Sequence, residues 1–330
     1  MAPKRLNARS GVPKSGPLEI GAAMSILSIV SRNGPTGFGY SSTAEDVTSG
    51  VSLAGKTVLV TGCNSGLGLE AMRVLALRGA HVIGTSRTQA KAVAAGRSVA
   101  GVTTGLACEL ADPQSVRACI AAIQQQGHRL DAIIANAGIM ALPKLETAFG
   151  YELQFFTNHI GHFMLVTGLR DALKPDGRVV MLSSALHTTA PVGGIDFDNL
   201  DGKKGYKPWA FYGQSKMANL LFAKELARRF QPGAQTAYAV HPGVILTNLG
   251  RSMGSMTRTI FNTVGPLFTK TIPQGAATEV FCAVNPKATK FSGEYLADSN
   301  VAKPRAEAND PALAKKLWDL SESIVARLPS

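Results

Sequence analysis

Residues 50–68 read GVSLAGKTVLVTGCNSGLG, and two phosphate-binding patterns overlap within them. Gly50, Gly55, Lys56 and Thr57 satisfy the P-loop expression G-x-x-x-x-G-K-S/T. Just downstream, the run from Thr61 to Gly68, TGCNSGLG, spells a glycine turn of the dinucleotide-binding kind. A P-loop works because a strand precedes its glycines and a helix follows its Lys-Ser/Thr, so that amides and helix dipole converge on phosphate. Here Lys56 and Thr57 instead open the β-branched run KTVLVT, and the preceding TAEDVTS has no strand character. The second motif has the required order: a strand ending at Thr61, a tight turn, then a helix from near Leu67 whose amino end faces the ligand. Gly62 permits the turn, Gly66 removes a side chain where a pyrophosphate must approach, and Gly68 lets helix and strand pack closely. Asn64, Ser65 and Leu67 complete this candidate cofactor turn.

Outward from the turn, short β-branched runs alternate with longer amphipathic ones. KTVLVT (56–61), HVIGT (81–85), AIIA (132–135), RVVMLS (178–183) and TAYAVH (236–241) read as buried strands, with Gly101–Cys108 a further strand and Glu294–Ala297 a short last one. Helical segments are expected at Leu67–Arg78, Pro113–Gln126, Tyr151–Leu173 and Tyr212–Phe230. Near-continuous apolar strands in βαβα order predict an α/β protein with one doubly wound parallel sheet and helices on both faces. No internal repeat or linker interrupts the series, so residues 51–330 read as one domain and residues 1–50 as an N-terminal extension, partly disordered.

Composition narrows the function classes. Hydrophobic residues make up 45% and charged residues 17%, a globular and rather apolar chain. No apolar run reaches spanning length; Ile20–Val30 is too short, and suits either a membrane surface or packing on the protein. The formal charge of +12 raises nucleic acid or an acidic membrane as partners. The basic residues are scattered, apart from Lys4, Arg5, Arg9 and Lys14, with neither zinc-finger spacing nor an aromatic stacking pattern, so nucleic acid is not an expected partner. Cys63, Cys108, Cys119 and Cys282 show no CxxC pattern and read as reduced thiols in an intracellular, cytoplasmic or organellar, compartment. Residues 1–23 are basic and rich in Pro and Ser but lack an apolar signal core; a plastid or mitochondrial targeting peptide, a tail, and a true start at Met24 all stay open.

About twenty residues beyond the glycine turn, an NAD enzyme carries an acid for the ribose hydroxyls. Gly84-Thr85-Ser86-Arg87 has none, and an arginine there pairs with a 2′-phosphate, so NADP(H) is expected over NAD(H), with an ordinary surface arginine as the alternative.

Further on come Asn136-Ala137-Gly138 after one strand, Ser183-Ser184 after another, and Tyr212-Gly-Gln-Ser-Lys216 opening a helix. With the glycine turn, this set resembles the short-chain dehydrogenase/reductase family, which carries TGxxxGxG, NAG, a catalytic Ser and YxxxK in that order. The resemblance runs from about Gly37 to the C-terminus and implies a Rossmann-type fold and hydride transfer between a carbonyl and an alcohol. Tyr212 and Lys216 share a helix face at i and i+4. A phenol of pKa about 10 is a poor acid–base group near neutrality, and a nearby ammonium is expected to lower it so that Tyr212 exchanges a proton with the substrate oxygen. By family alignment Ser184, rather than Ser183, holds that oxygen. The same resemblance makes Asn158, in Asn158-His-Ile-Gly161, the holder of a water relaying protons to Lys216. It also makes Pro242 and Gly243 the turn against the nicotinamide, with Thr247 as its hydroxyl partner. Glu109-Leu110 stand where the family has Asp-Leu at the adenine, and Ala135 replaces an Asn. His159 and His162 lie three apart, but without a third ligand they read as surface or core histidines rather than a metal site.

NHIGHF, YGQSKMANLLFAKELARR and HPGVILTNLGR resemble the retinol-dehydrogenase-like group, which includes the catalytic domain of the WW-domain oxidoreductase, and SGEYLADSNVAKP and LAKKLWDLS resemble its plant chloroplast branch. Leu249–Lys270 is read as an apolar lid over a hydrophobic carbonyl or alcohol substrate, with a membrane patch and simple core packing as the other two readings. A homodimer and a peripheral membrane contact stay open. The function expected is an NADP(H)-dependent oxidoreductase; the alternative is an NADP(H)-binding, redox-sensing interaction module with little turnover.

Overall fold

The computed structural model describes residues 32–245 and 269–329. Its strands are β1 (Thr57–Thr61), β2 (His81–Ser86), β3 (Val102–Ala107), β4 (Leu130–Ala135), β5 (Leu173–Leu182), β6 (Thr236–His241), β7 (Tyr295–Ala297) and β8 (Asn300–Val301). They form one sheet in the order β8-β7-β6-β5-β4-β1-β2-β3, parallel from β3 to β7 with only β8 antiparallel. The chain runs outward from β1 to β2 and β3, then returns to β4 on the other side of β1. That reversal opens a crevice at the carboxyl ends of β1 and β4, where ligands bind in such sheets.

Helices cover both faces, as a parallel sheet requires. On one face lie α1 (Gly66–Leu77), α2 (Gln89–Arg97) and α6 (Ile272–Val284). On the other lie α3 (Pro113–Gln125), α4 (Gly161–Gly168), α5 (Pro208–Arg229) and α7 (Pro311–Arg327). The inner strands β1 and β6 are buried along nearly their whole length, which explains their unbroken apolar runs. β3 is the edge strand and its Val102 is 65% exposed.

Three helices, α2, α6 and α7, were not anticipated from periodicity. Their start signals lie in the flanks: Thr88 caps α2, Asp310 caps α7, and Thr271 with Gln274 forms a full capping box on α6. The single helix expected over Tyr151–Leu173 is broken. A two-residue hairpin, Thr147–Ala148 against Tyr151–Glu152, leads into one α-turn (Leu153–Phe155), a π-helical turn (Phe156–Ile160), α4, a 3-10 turn (Arg170–Ala172), and then β5 from Leu173. The described part of the N-terminal extension packs onto the α1/α6 face. Ala44 and Val47 are fully buried, Phe38 meets Phe281 edge-on at 5.7 Å, and Thr36 donates to Asn300 at 3.0 Å.

Lys56, the lysine of the apparent P-loop, lies at the amino edge of the sheet, opposite the crevice. Its Nζ pairs with Asp131 at 2.8 Å, and Asp131 also accepts from Lys174 and from the Thr57 amide, each at 2.8 Å. Burial pushes the Asp131 carboxyl up, but these three partners together outweigh it and hold it below its usual value. The stability it adds is therefore present above its ordinary pKa of 3.8 and lost as the pH falls below that. Asp131→Asn should cost about 1–3 kcal/mol at neutral pH. Urea unfolding should show that gap closing as the pH drops below 3.8.

Candidate active site

The glycine turn leaves β1 at Thr61 and enters α1 at Gly66. Gly62 and Gly66 take φ of +71° and +59°, a region that disfavours any side chain. A Cβ on Gly68 would lie 2.5 Å from both the Gly62 carbonyl oxygen and Asn136 Nδ2, so helix and turn close only over a glycine. Ser65 is the N-cap of α1 yet makes no side-chain cap bond, which leaves the helix amides turned to the crevice for an anion. Asn64 is exposed beside it and Leu67 is buried beneath, against the position of Gly275.

The Asn136-Ala137-Gly138 segment continues β4 and locks to β1. Asn136 Nδ2 donates to the Thr61 carbonyl at 2.8 Å, and the Ala137 amide donates to Thr61 Oγ1 at 3.0 Å. A Cβ on Gly138 would sit 3.0 Å from Asn158 Oδ1 and 3.5 Å from Lys216 Nζ, so this glycine admits both polar groups. Asn158 lies in the π-helical turn, a distortion often kept at functional sites. Its side-chain oxygen accepts from the Ile139 amide at 2.8 Å, and its Nδ2 donates to the Ile139 carbonyl and to Ser215 Oγ, both at 2.9 Å. Gly161 packs against the Leu110 carbonyl, which fixes the Glu109-Leu110 segment; Glu109 Oε1 accepts from the Ala111 amide. Arg87 is exposed just past the end of β2, on the crevice edge of the sheet. Thr247 and all of Leu249–Lys270 except Thr269 and Lys270 lie outside the described residues.

Past β5 the two adjacent serines part company. Ser183 Oγ donates to the Lys216 carbonyl at 2.8 Å and is buried, whereas Ser184 caps a 3-10 turn and hydrogen-bonds the Tyr212 phenol. Tyr212 and Lys216 lie on α5, with Lys216 Nζ 5.8 Å from the Tyr212 ring centroid and donating to the Leu182 carbonyl at 2.9 Å. Burial pushes the Tyr212 phenol up to about 12, with the Ser184 hydrogen bond pulling against it. The expected depression by the ammonium is therefore not what this geometry gives; Lys216 is itself pushed down to about 8 by burial, opposed by Glu279. Pro242 and Gly243 follow β6, with Gly243 at φ +90°.

Two contributors escaped sequence reading. His162 Nε2 meets Thr61 Oγ1 at 2.9 Å and its Nδ1 meets the Asn158 carbonyl at 2.9 Å. Because the Asn158 carbonyl can only accept, the proton of the neutral ring belongs on Nδ1, and Nε2 accepts from the Thr61 hydroxyl. Burial holds His162 down at about 4, hence neutral, while His159 is enclosed by Phe155, Phe163 and Phe222. Both are core histidines, and among the described residues no group of His, Cys, Asp and Glu is arranged to hold a metal. The second is Glu279 on α6, fully buried with neither carboxylate oxygen hydrogen-bonded. A lone acid inside the apolar run AATEVFCAV was the available signal.

A Rossmann sheet with this serine, tyrosine and lysine at its carboxyl edge defines a class, and residues 56–258 match the profile described as short chain dehydrogenase. The chain belongs to that family of oxidoreductases, which act on alcohols and carbonyls and bind NAD(P). It is 39% identical over 315 residues to the Brassica napus protein named short-chain dehydrogenase TIC 32 A, chloroplastic, covering 91% of this chain and 98% of the relative. It is 39% identical over 296 residues to human retinol dehydrogenase 14, covering 83% and 87%. Among solved structures, an uncharacterized Mycobacterium paratuberculosis protein superposes with a TM-score of 0.68 at 33% identity, over 83% of this chain and 95% of that one. A blue fluorescent protein from a metagenomic library, in complex with NADPH, gives 0.60 at 25% identity, over 74% and 96%.

Glu279 carries a testable consequence. Burial pushes its carboxyl up to about 8, with Lys216 pulling against it, from an ordinary value of 4.5. The folded chain therefore holds a proton that the unfolded chain releases, and stability is lost as pH rises through that window, by up to about 1.4 kcal/mol per pH unit. Lys216 works in the opposite sense only above about 8, outside the window. Between about pH 6 and pH 8 the Tm of wild type should fall by several degrees more than that of Glu279→Gln.

Proposed function

We propose that this chain is an NADP(H)-dependent oxidoreductase interconverting a hydrophobic aldehyde or ketone with its alcohol. The observation that carries this is the Ser184–Tyr212–Lys216 group at the carboxyl edge of β5, on the same edge as the glycine turn after β1. The uncapped amides of α1 and the tight turn that Gly62, Gly66 and Gly68 permit fit a pyrophosphate. Arg87, with no acid in Gly84–Arg87, supports a 2′-phosphate over a free ribose hydroxyl. Asn64, Ser65, Leu67, Glu109, Leu110, Asn136, Ala137, Gly138, Pro242, Gly243 and Thr247, with Tyr212 and Lys216 themselves, are the other proposed cofactor contacts. The relationship to retinol dehydrogenases supports an apolar substrate, and the Brassica napus relative supports an organellar setting.

Bound NADP(H) supplies or accepts the hydride at the substrate carbon. Ser184 holds the substrate oxygen, and Tyr212 exchanges the proton with it. With its phenol near 12, Tyr212 is protonated at neutral pH and is still a stronger acid than the alcohol product, so proton donation to the alkoxide that reduction creates runs downhill. The phenol O–H breaks as the alcohol O–H forms, and Lys216 faces the phenolate left behind. Asn158 acts by fixing the Ile139 backbone and Ser215, one helical turn from Tyr212.

NADPH consumption with a panel of apolar aldehydes and ketones tests this reading. Tyr212→Phe should lower kcat by about a hundredfold or more while leaving NADPH binding within about twofold. Arg87→Ala should raise KM for NADPH about tenfold and leave that for NADH nearly unchanged. NADPH binding with no turnover of any compound would replace the enzyme by the redox-sensing module.

A further inference from the structure

The residue before the Pro242-Gly243 turn joins the two halves of the site. His241 Nδ1 accepts from the Ala185 amide at 3.1 Å and, over a longer and weaker contact, from the Gly243 amide at 3.4 Å. Ala185 follows Ser184 directly, and Gly243 is the turn proposed to face the nicotinamide. One ring nitrogen thus ties the serine that holds the substrate oxygen to the turn beside the cofactor. It can do so only as an unprotonated acceptor, because an imidazolium nitrogen only donates.

Lys270, just before α6, lies against the Gly243 turn that His241 holds. Its side chain is 1% exposed, and a Cβ on Gly243 would lie 2.6 Å from Lys270 Cδ, so the lysine stem fills the space under the turn. Its Nζ pairs with Asp298 at 2.5 Å and lies 4.9 Å from the Tyr40 ring centroid, while its backbone amide donates to the Val244 carbonyl at 2.8 Å. Asp298 is held in a left-handed turn at φ +52°, and Asn300 donates to its carbonyl at 2.7 Å. Among the described residues the further titratable neighbour is His187, which engages the Ser184 carbonyl through Nδ1 and accepts from the Arg305 amide through Nε2. Burial, then Lys270 and His187, hold His241 down at about 4, and Asp298 alone opposes them.

We propose that His241 is a positioning residue for the reaction: its Nδ1 fastens the Ser184 turn to the Pro242-Gly243 turn, and the buried Lys270 ammonium keeps it an acceptor. The inference rests on the functional reading above. His241→Asn presents an amide oxygen near the position of Nδ1 and does not titrate, whereas His241→Leu has no acceptor. Lys270→Met keeps the stem under Gly243 and removes only the charge.

With NADPH and a carbonyl substrate that wild type reduces, His241→Leu should lose about tenfold or more in kcat/KM, and His241→Asn should stay within about threefold of wild type. Lys270→Met should move the acid limb of the pH profile to higher pH, and the double variant His241→Asn/Lys270→Met should abolish that movement. In folded wild type at neutral pH, nitrogen NMR of the histidines should show His241 protonated on Nε2 alone. Full activity in His241→Leu overturns the inference, as does equal loss in the two His241 variants, an acid limb unmoved in Lys270→Met, or a proton on Nδ1. Absence of turnover in wild type overturns the functional reading instead, and the NMR tautomer then decides the acceptor assignment by itself.

Discussion

The site depends on how the end of β1 is fastened to the end of β4. Thr61 is the fastening: its carbonyl accepts from Asn136, and its hydroxyl accepts from Ala137 and donates to His162. His162 passes the chain of bonds to the Asn158 carbonyl, and the Asn158 side chain passes it to Ile139 and Ser215. Ser215 closes it on the Tyr212 carbonyl at 2.7 Å. The glycine turn and the tyrosine helix, far apart in sequence, are thereby set relative to each other through buried and half-buried groups that hydrogen-bond in series. Such a network fixes positions because each member left unpaired in a low-dielectric interior costs free energy.

Charge is distributed with the same economy. Lys216 and Glu279 are both buried, each is shifted toward its neutral form by burial, and each pulls the other back. His162 and His241 are held neutral, so that their nitrogens serve as fixed acceptors and donors. The Asp131 cluster with Lys56 and Lys174 sits at the opposite edge of the sheet, where half-exposed lysines meet water. The ionisable groups nearest the chemistry are thus the ones with least solvent, a setting in which small displacements of a charge change proton affinity strongly.

What was legible in the sequence was whatever a local pattern must encode. The inner strands β1, β2, β4 and β6 and the second half of β5 are largely apolar because both faces are covered, and the glycine turn is visible because the left-handed angles of Gly62 and Gly66 favour glycine. α2 was passed over because its mean composition is barely apolar and only its Thr88 cap marks it. The break inside Tyr151–Leu173 left no periodic trace, since a π-helical turn keeps helical residues and shifts only their phase. Ser184 followed from alignment to a family, whereas its difference from Ser183 lies in where each hydroxyl meets α5, Ser183 at the Lys216 carbonyl and Ser184 at the Tyr212 phenol. Lys270, Asp298 and His241 meet only because β6, β7 and the start of α6 are neighbours in space, and no spacing in the chain announces that.

The Y-x-x-x-K pattern itself says less than the residue inside it. Gly213, directly after Tyr212, has no side chain because the turn after Ser184 lies on it: a Cβ there would lie 2.6 Å from the Leu186 carbonyl, 2.8 Å from the Ala190 amide, and closer still to Thr189 Oγ1. That contact brings Ser184 to the phenol. Gly138 does the same for Asn158 and Lys216, and Gly161 for Leu110. A chance tyrosine and lysine four apart carry none of these, since the spacing sets only a shared helix face. The small residues Gly138, Gly161 and Gly213 decide whether these strand and helix ends can approach so closely, and that close approach is what the spacing alone does not encode.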